Sequence, residues 1–245
     1  MDITSDTFPM NPYRMETPYI LPDAKREILE RKNSIFQSIV HEFPVSVGKE
    51  ASRQERDQRD DLNVSDATLT YGEVDFVSIG EVFETIRHRY GGIPEGGVFY
   101  DLGSGTGKGV VAAALLHNFD ECRGIEILDS LSQISLSMQE KYEMVFPQAV
   151  ADNPDLWSRK PSLNFVASDF FSCDWTDASF IFANSTCFDH DMMRRIAQVQ
   201  VKPGTLGISF TKNFSEQDWT ILESVKKNMS WGEATVYIQR KKETT

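Results

Sequence analysis

Cysteine is scarce in this 245-residue chain: Cys122, Cys173 and Cys187 are an odd number with no CxxC spacing. That excludes a disulfide frame and a cysteine zinc site, and fits reduced thiols in a cytosolic or nuclear protein. Histidine is equally thin, with His41, His88, His117 and His190 scattered along the chain, so no metal site is expected. No apolar run approaches the roughly 18 residues that span a bilayer, and the opening MDITSDTFPM lacks the basic and apolar regions of a signal peptide. Neither membrane insertion nor secretion is expected. Positive charge is in deficit too, with 25 Lys+Arg against 37 Asp+Glu and a net charge of −12. Large nucleic-acid-binding surfaces replace phosphate counterions with Lys and Arg, so strong direct nucleic-acid binding is not expected. A basic protein partner is compatible, because opposite charge steers encounter.

What the chain does hold is enough apolar residue, 40%, to bury a real core, over a length that suits one domain or one domain plus an arm. Residues 1–70 read as the arm. Four prolines precede one amphipathic stretch at 24–43, in which Ile28, Leu29, Ile35, Phe36, Ile39, Val40 and Phe43 recur at helical spacing. This helix is expected to pack on the domain or cover a cofactor, with partner binding as the alternative. The polar run from Gly48 to about residue 70 has almost nothing to bury and reads as an exposed or disordered connection.

From residue 71 to 245, short apolar strands alternate with helices, the signature of an α/β domain with a parallel sheet. The pattern predicts a helix over 73–90 ended by Gly91 and Gly92, strands at 98–102, 122–127, 163–168, 179–184 and 205–210, and helices near 107–118, 130–146 and 189–200. Two further segments, 219–227 and 234–242, read as a closing antiparallel hairpin, although the first also suits a helix.

The segment Phe99-Tyr100-Asp101-Leu102-Gly103-Ser104-Gly105-Thr106-Gly107-Lys108-Gly109 leaves a strand and enters a helix. Glycines there let backbone approach a ligand, and helix N-terminal amides favour negative groups. A phosphate loop, G-x-x-x-x-G-K-[ST], fails because Leu102 stands at its first glycine and Gly109 at its magnesium-holding hydroxyl. A G-x-G-x-x-G dinucleotide fingerprint fails because Lys108 or Val110 stands at its last glycine. What fits is D-x-G-x-G-x-G over Asp101, Gly103, Gly105 and Gly107, which resembles motif I of class I S-adenosylmethionine methyltransferases. A glycine-rich turn with no ligand is the bland alternative.

Downstream, Glu126 ends the next strand, where an acid accepts hydrogen bonds from both ribose hydroxyls. Ser168-Asp169-Phe170 offers a carboxylate for the adenine amine and an aromatic face for its ring. Each has a plainer reading: core packing for Phe170, helix capping for Asp169. Lys108 is expected to extend into solvent, with a ligand contact as the alternative.

Together with Tyr71-Gly72-Glu73 and Phe182-Ala183-Asn184, these residues resemble the Dot-one class, the non-SET histone lysine methyltransferases named for disruption of telomeric silencing. The likeness covers about residues 70–240, and the YGE element discriminates best. It implies a seven-stranded Rossmann-like class I methyltransferase sheet with helices on both faces, preceded by the mainly helical arm. It also implies S-adenosyl-L-methionine as cofactor, S-adenosyl-L-homocysteine as product, and protein lysine, on a histone in a nucleosome, as acceptor in the nucleus. The cofactor bed carried over is Tyr71, Gly72, Glu73, Phe99, Asp101, Gly103, Ser104, Gly105, Thr106, Gly107, Lys108, Glu126, Asp169, Phe170 and Asn184. The catalytic set is Asn184, Tyr71 and Phe188, with both aromatics lining an acceptor channel, although Asn184 also suits a turn cap. Ser185 and Thr186 depart from the family's second Asn and aromatic. Its chromatin-binding members carry basic extensions, whereas residues 71–245 hold 16 Lys+Arg against 24 Asp+Glu. A class I enzyme acting on another protein or a small molecule in the cytoplasm, and a cofactor-binding module without turnover, are the competing readings.

Overall fold

The computed structural model describes residues 19–58, 73–229 and 232–243. Among these residues seven strands form one sheet in the order β3-β2-β1-β4-β5-β7-β6. They are β1 (Val98–Leu102), β2 (Glu121–Glu126), β3 (Ser162–Ala167), β4 (Ala178–Ala183), β5 (Leu206–Phe210), β6 (Trp219–Met229) and β7 (Gly232–Lys241). The first five pair in parallel. β7 inserts antiparallel between β5 and β6, so the segment open to a helical reading is the strand β6. Among the described residues no helix is long and apolar enough to cross a membrane.

Among the described residues six α-helices accompany the sheet: α1 (Asp23–Val40), α2 (Val45–Arg56), α3 (Phe76–Arg89), α4 (Lys108–Leu116), α5 (Asp129–Asp152) and α6 (His190–Gln198). Residues of α1, α3, α4 and α5 share one core with Phe99, Phe180 and Phe182. On the other side, α6 contributes Met193, Ile196 and Ala197 to a second core around Trp175, Phe188 and Trp219. Asp75 caps α3 by accepting from Ser78 N at 2.7 Å, so that helix starts three residues later than the apolar period suggests.

The arm's first helix buries Leu29, Phe36, Ile39 and Val40, each contributing roughly 1.5–3 kcal/mol. A Cβ on Gly80 would lie 2.2 Å from Leu29 Cδ1, so glycine lets α1 and α3 approach closely. Two expectations need correction. The run expected to be an exposed connection begins with a second helix, α2, entered at Pro44, whose fixed φ suits the position before a helix. Its Glu55 accepts from Asp129 N at 3.0 Å and Ser130 N at 2.7 Å, capping α5. And α5 does not stop at 146 but runs through Pro147 to Asp152, because Phe146 and Ala149 stay buried on one face and outweigh the lost donor.

Candidate active site

The strand order reverses between β1 and β4, and such a switch point opens a crevice outside the carboxyl ends of the strands. Asp101, Glu126, Asp169 and Asn184 all stand at that edge, the first two at the ends of β1 and β2 and the others just after β3 and β4. Between β1 and α4 the backbone turns left-handed at Gly103 (φ 79°), Gly105 (φ 56°) and Gly107 (φ 89°), a region in which only glycine is unstrained.

Neighbours fill the space that side chains on this loop would need. A Cβ on Gly103 would meet Phe188 at 3.3 Å, and one on Gly107 would meet Phe165 at 2.7 Å. Gly109 matters for a reason the sequence reading missed. A Cβ there would lie 2.3 Å from Asp101 Oδ2, so glycine is what lets the carboxylate sit against the first turn of α4. Gly124 serves Ser104 in the same way: a Cβ there would lie 2.6 Å from its hydroxyl. In both, a glycine on one element faces a polar residue on another, a pairing invisible without the three-dimensional register.

Charge in this site is buried. Asp101 is held well above the usual carboxylate range, first by burial and then by Glu126. Burial pushes Glu126 up as well, against amide hydrogen bonds from Leu128, Gly105 and Ile127. Glu126 Oε2 accepts from Gly105 N at 2.8 Å, and Oε1 from Leu128 N at 2.9 Å. Asp101 Oδ1 and Ser104 Oγ are buried without a hydrogen-bond partner. Buried polar atoms are nearly always satisfied, so two orphans, one near the end of β1 and one in the glycine loop that follows it, mark a place where a ligand's donors belong. Thr106 is buried in the same loop.

Lys108 corrects an expectation. It is 8% exposed, not solvated, and its Nζ donates to Glu73 Oε2 at 2.5 Å. The pair joins the YGE segment to the N-terminus of α4. Tyr71 and Gly72 lie outside the described residues. Phe99 is a core residue rather than a ligand contact, its ring stacked or tilted on Phe119, Phe180 and Phe182. Phe170 and Phe188 are also packed inward, 5.7 Å apart, in the second core. Phe188 lies against the glycine loop, because Gly103 leaves room for its ring.

Asp169 caps the short 3-10 turn Phe170–Ser172, accepting from Phe171 N at 2.9 Å. Asn184 precedes the 3-10 turn Ser185–Cys187 without a side-chain cap, and its Oδ1 faces Thr186 Oγ1 at 3.4 Å. The departures after Asn184 have a structural account. Ser185 is fully buried and ties this turn to β5, donating to Phe210 O at 2.7 Å and accepting from Phe210 N at 3.1 Å. Lys212 Nζ donates to Thr186 O at 3.1 Å.

The family comparison decides which ligand class the loop serves. The family described as "Histone methylation protein DOT1" matches residues 60–239, most of the chain. The chain belongs to that family. It is a DOT1-type S-adenosylmethionine-dependent methyltransferase. Among solved structures, a candidate class I S-adenosylmethionine-dependent methyltransferase of Listeria monocytogenes aligns with a TM-score of 0.50 at 10% identity, covering 91% of this chain and 89% of that one. It shares the fold. An RNA methyltransferase of Salinibacter ruber in complex with S-adenosyl-L-homocysteine aligns at 24% identity over 69% of this chain and 90% of its own, with a TM-score of 0.45. No curated protein matches the sequence.

Proposed function

We propose that this DOT1-family chain methylates a lysine of a histone, in the nucleus. One observation carries the assignment of the loop: the buried Asp101 carboxylate, with Oδ1 unpartnered beside an unpartnered Ser104 hydroxyl. A polyphosphate would meet two buried carboxylates, Asp101 and Glu126, at repulsive distance. An ammonium and hydroxyl donors, which the methionine and ribose parts of the cofactor carry, complement them. The residues fit the cofactor.

In this reading Asp101 and Ser104 receive the methionine end, with Gly103, Gly105 and Gly107 leaving the loop backbone open to the ligand and Thr106 buried among them. Glu126 keeps its Gly105 and Leu128 amide bonds and uses its remaining lone pairs for the ribose hydroxyls. Asp169 has one oxygen committed to the turn and the other for the adenine amine. Glu73 is held beside the loop by Lys108. When bound, the cofactor supplies a methyl group already activated on sulfonium sulfur. The chain's own work is then positioning and exclusion of water. Asn184, through its carbonyl oxygen, orients the acceptor amine, whose ordinary pKa of about 10.4 must fall before its lone pair is free.

The acidic balance of residues 71–245 suits a basic polypeptide such as a histone tail. It also favours a second reading, another basic protein as acceptor. Offering labelled cofactor with nucleosomes, free histones and a nuclear extract separates them. Label on histone lysine supports the first, and label only on other proteins the second. Tight cofactor binding with no label anywhere identifies a binding module and defeats both.

A further inference from the structure

The opposite end of α4 from the glycine loop opens onto a second cavity, of about 360 Å³, within the size range of small-molecule pockets. It lies between the arm and the domain. α1 contributes Lys25, Ile28 and Lys32, α3 contributes Glu84 and Arg87, and apolar wall comes from Ile93, Leu116 and Leu156.

Its polar groups have partners in the wall except one ammonium. Glu84 accepts from Arg87 Nη1 at 2.5 Å and faces Lys25 at 3.5 Å. Asp155 is held by both terminal nitrogens of Arg31, at 2.8 Å each. Glu95 accepts from Asn118 Nδ2 at 3.3 Å. His117 is neutral: its Nε2 donates to Pro94 O at 2.9 Å, leaving Nδ1 to accept from Arg87 at 3.2 Å, and burial holds its pKa down. Lys32 is left without a paired carboxylate. It is 9% exposed, its Nζ lies 5.3 Å from the centre of the Trp157 ring, and among the described residues the Glu84 charge acts on it only from beyond ion-pair distance. A buried ammonium lacking a partner is a costly arrangement, and here it lines a cavity with apolar walls.

We propose that this cavity is a binding site for a small carboxylate with an apolar body, its carboxylate on Lys32 Nζ and its body against Ile28, Ile93, Leu116 and Leu156. The field agrees with the geometry. Burial first, and then the Arg87 charge, lower the Lys32 pKa to about 7, with Glu84 opposing and Lys25 adding to the effect. An anion would reverse that shift. The site is separate from the glycine loop and does not depend on which acceptor the enzyme methylates.

Calorimetric titration of the full chain with sodium benzoate and sodium octanoate, with benzyl alcohol as the uncharged control, tests it. At least one carboxylate is expected to bind one to one, unaffected by saturating S-adenosyl-L-homocysteine, with benzyl alcohol at least about tenfold weaker. Lys32→Met should weaken the carboxylate about tenfold or more while leaving S-adenosyl-L-homocysteine affinity unchanged. In the unaltered protein the affinity should fall as pH rises above about 7, as the free Lys32 loses its proton. Three results overturn the proposal: neither carboxylate binding more tightly than about 1 mM, displacement by S-adenosyl-L-homocysteine, or a pH-independent affinity that Lys32→Met leaves intact.

Discussion

The two ends of α4 make an instructive pair. At its N-terminus a buried carboxylate, Asp101, lies against the first turn, where the helix dipole favours negative charge. At its C-terminus Arg87 Nη2 donates to Leu116 O at 2.7 Å, and Lys32 lines the cavity beside it. The C-terminal end thus gathers positive charge, the sign its dipole stabilises, whereas the N-terminal end sets a buried ion pair beside Asp101; each end keeps one titratable group unsatisfied. Two buried lysines sharpen the contrast. Lys108, at the N-terminal end, is paired with Glu73, whereas Lys32 has no carboxylate. Dipoles of this size contribute about 0.3–2 kcal/mol, far less than burial of a charge costs. The unsatisfied group at each end, rather than the helix itself, is what points to a ligand.

The largest effect breaks the N-terminal site outright. Gly105→Arg places a side chain at φ 56° in the loop and in the ligand's volume. Cofactor affinity should drop more than about 100-fold while the far-ultraviolet circular dichroism stays that of the parent; retained affinity would falsify the loop assignment. Next comes the pairing contrast. Glu73→Gln leaves the buried Lys108 without its carboxylate, and should cost about 3 kcal/mol in urea unfolding. Glu73→Leu with Lys108→Met should recover most of it, whereas a double variant as unstable as the single one would mean that the pair contributes little.

Asp101 and Lys32 should give opposite pH signatures. The folded-state pKa of Asp101 is raised, so the folded ligand-free protein holds a proton that the unfolded chain has released, and stability falls as pH rises from about 3.8 through the raised value. Lys32 is lowered from 10.5 to about 7, so its contribution recovers as pH rises between those values. Asp101→Asn should accordingly raise the ligand-free Tm at neutral pH yet weaken S-adenosylmethionine about tenfold, the worth of a hydrogen bond to a charged group. Lys32→Met should raise Tm at pH 7 and lessen the advantage of higher pH, with cofactor affinity unaltered. Melting curves across pH, read beside cofactor titrations, check both.

Much of this layout was legible in the sequence because it rests on local patterns. The glycine loop, the acid that ends β2 and the apolar strands each announce themselves within a dozen residues. What escaped was set by tertiary contacts. Lys108 looks like a solvated loop lysine until Glu73, 35 residues away, is brought onto it. That Phe188 packs against the glycine loop shows only once Gly103 is seen to make room for its ring. Pro147 reads as a helix end, but packing of Phe146 and Ala149 carries α5 past it. Ser185 reads as a lost asparagine, and proves to be the bolt between two strand ends. The cavity at Lys32 drew no signal at all, since its walls come from five separate stretches of chain.

The smallest effect tests the same rule on another helix. Glu55, in the stretch that composition marked as having nothing to bury, gives one oxygen to Asp129 N and the other to Ser130 N at the start of α5. Like Asp101 it is a carboxylate at a helix N-terminus; unlike Asp101 both of its oxygens are engaged. Glu55→Ala should therefore cost only the usual worth of an N-terminal cap, about 1 kcal/mol, lowering Tm by roughly 2–4 °C in a chain of this size. The neighbouring Glu126 should lose part of its upward shift, because the Glu55 charge contributes to it. Cofactor binding should stay within about twofold of the parent. A drop as large as that of Asp101→Asn would mean that α2 is part of the cofactor site, and that the difference between satisfied and unsatisfied carboxylates does not separate capping from ligand binding here.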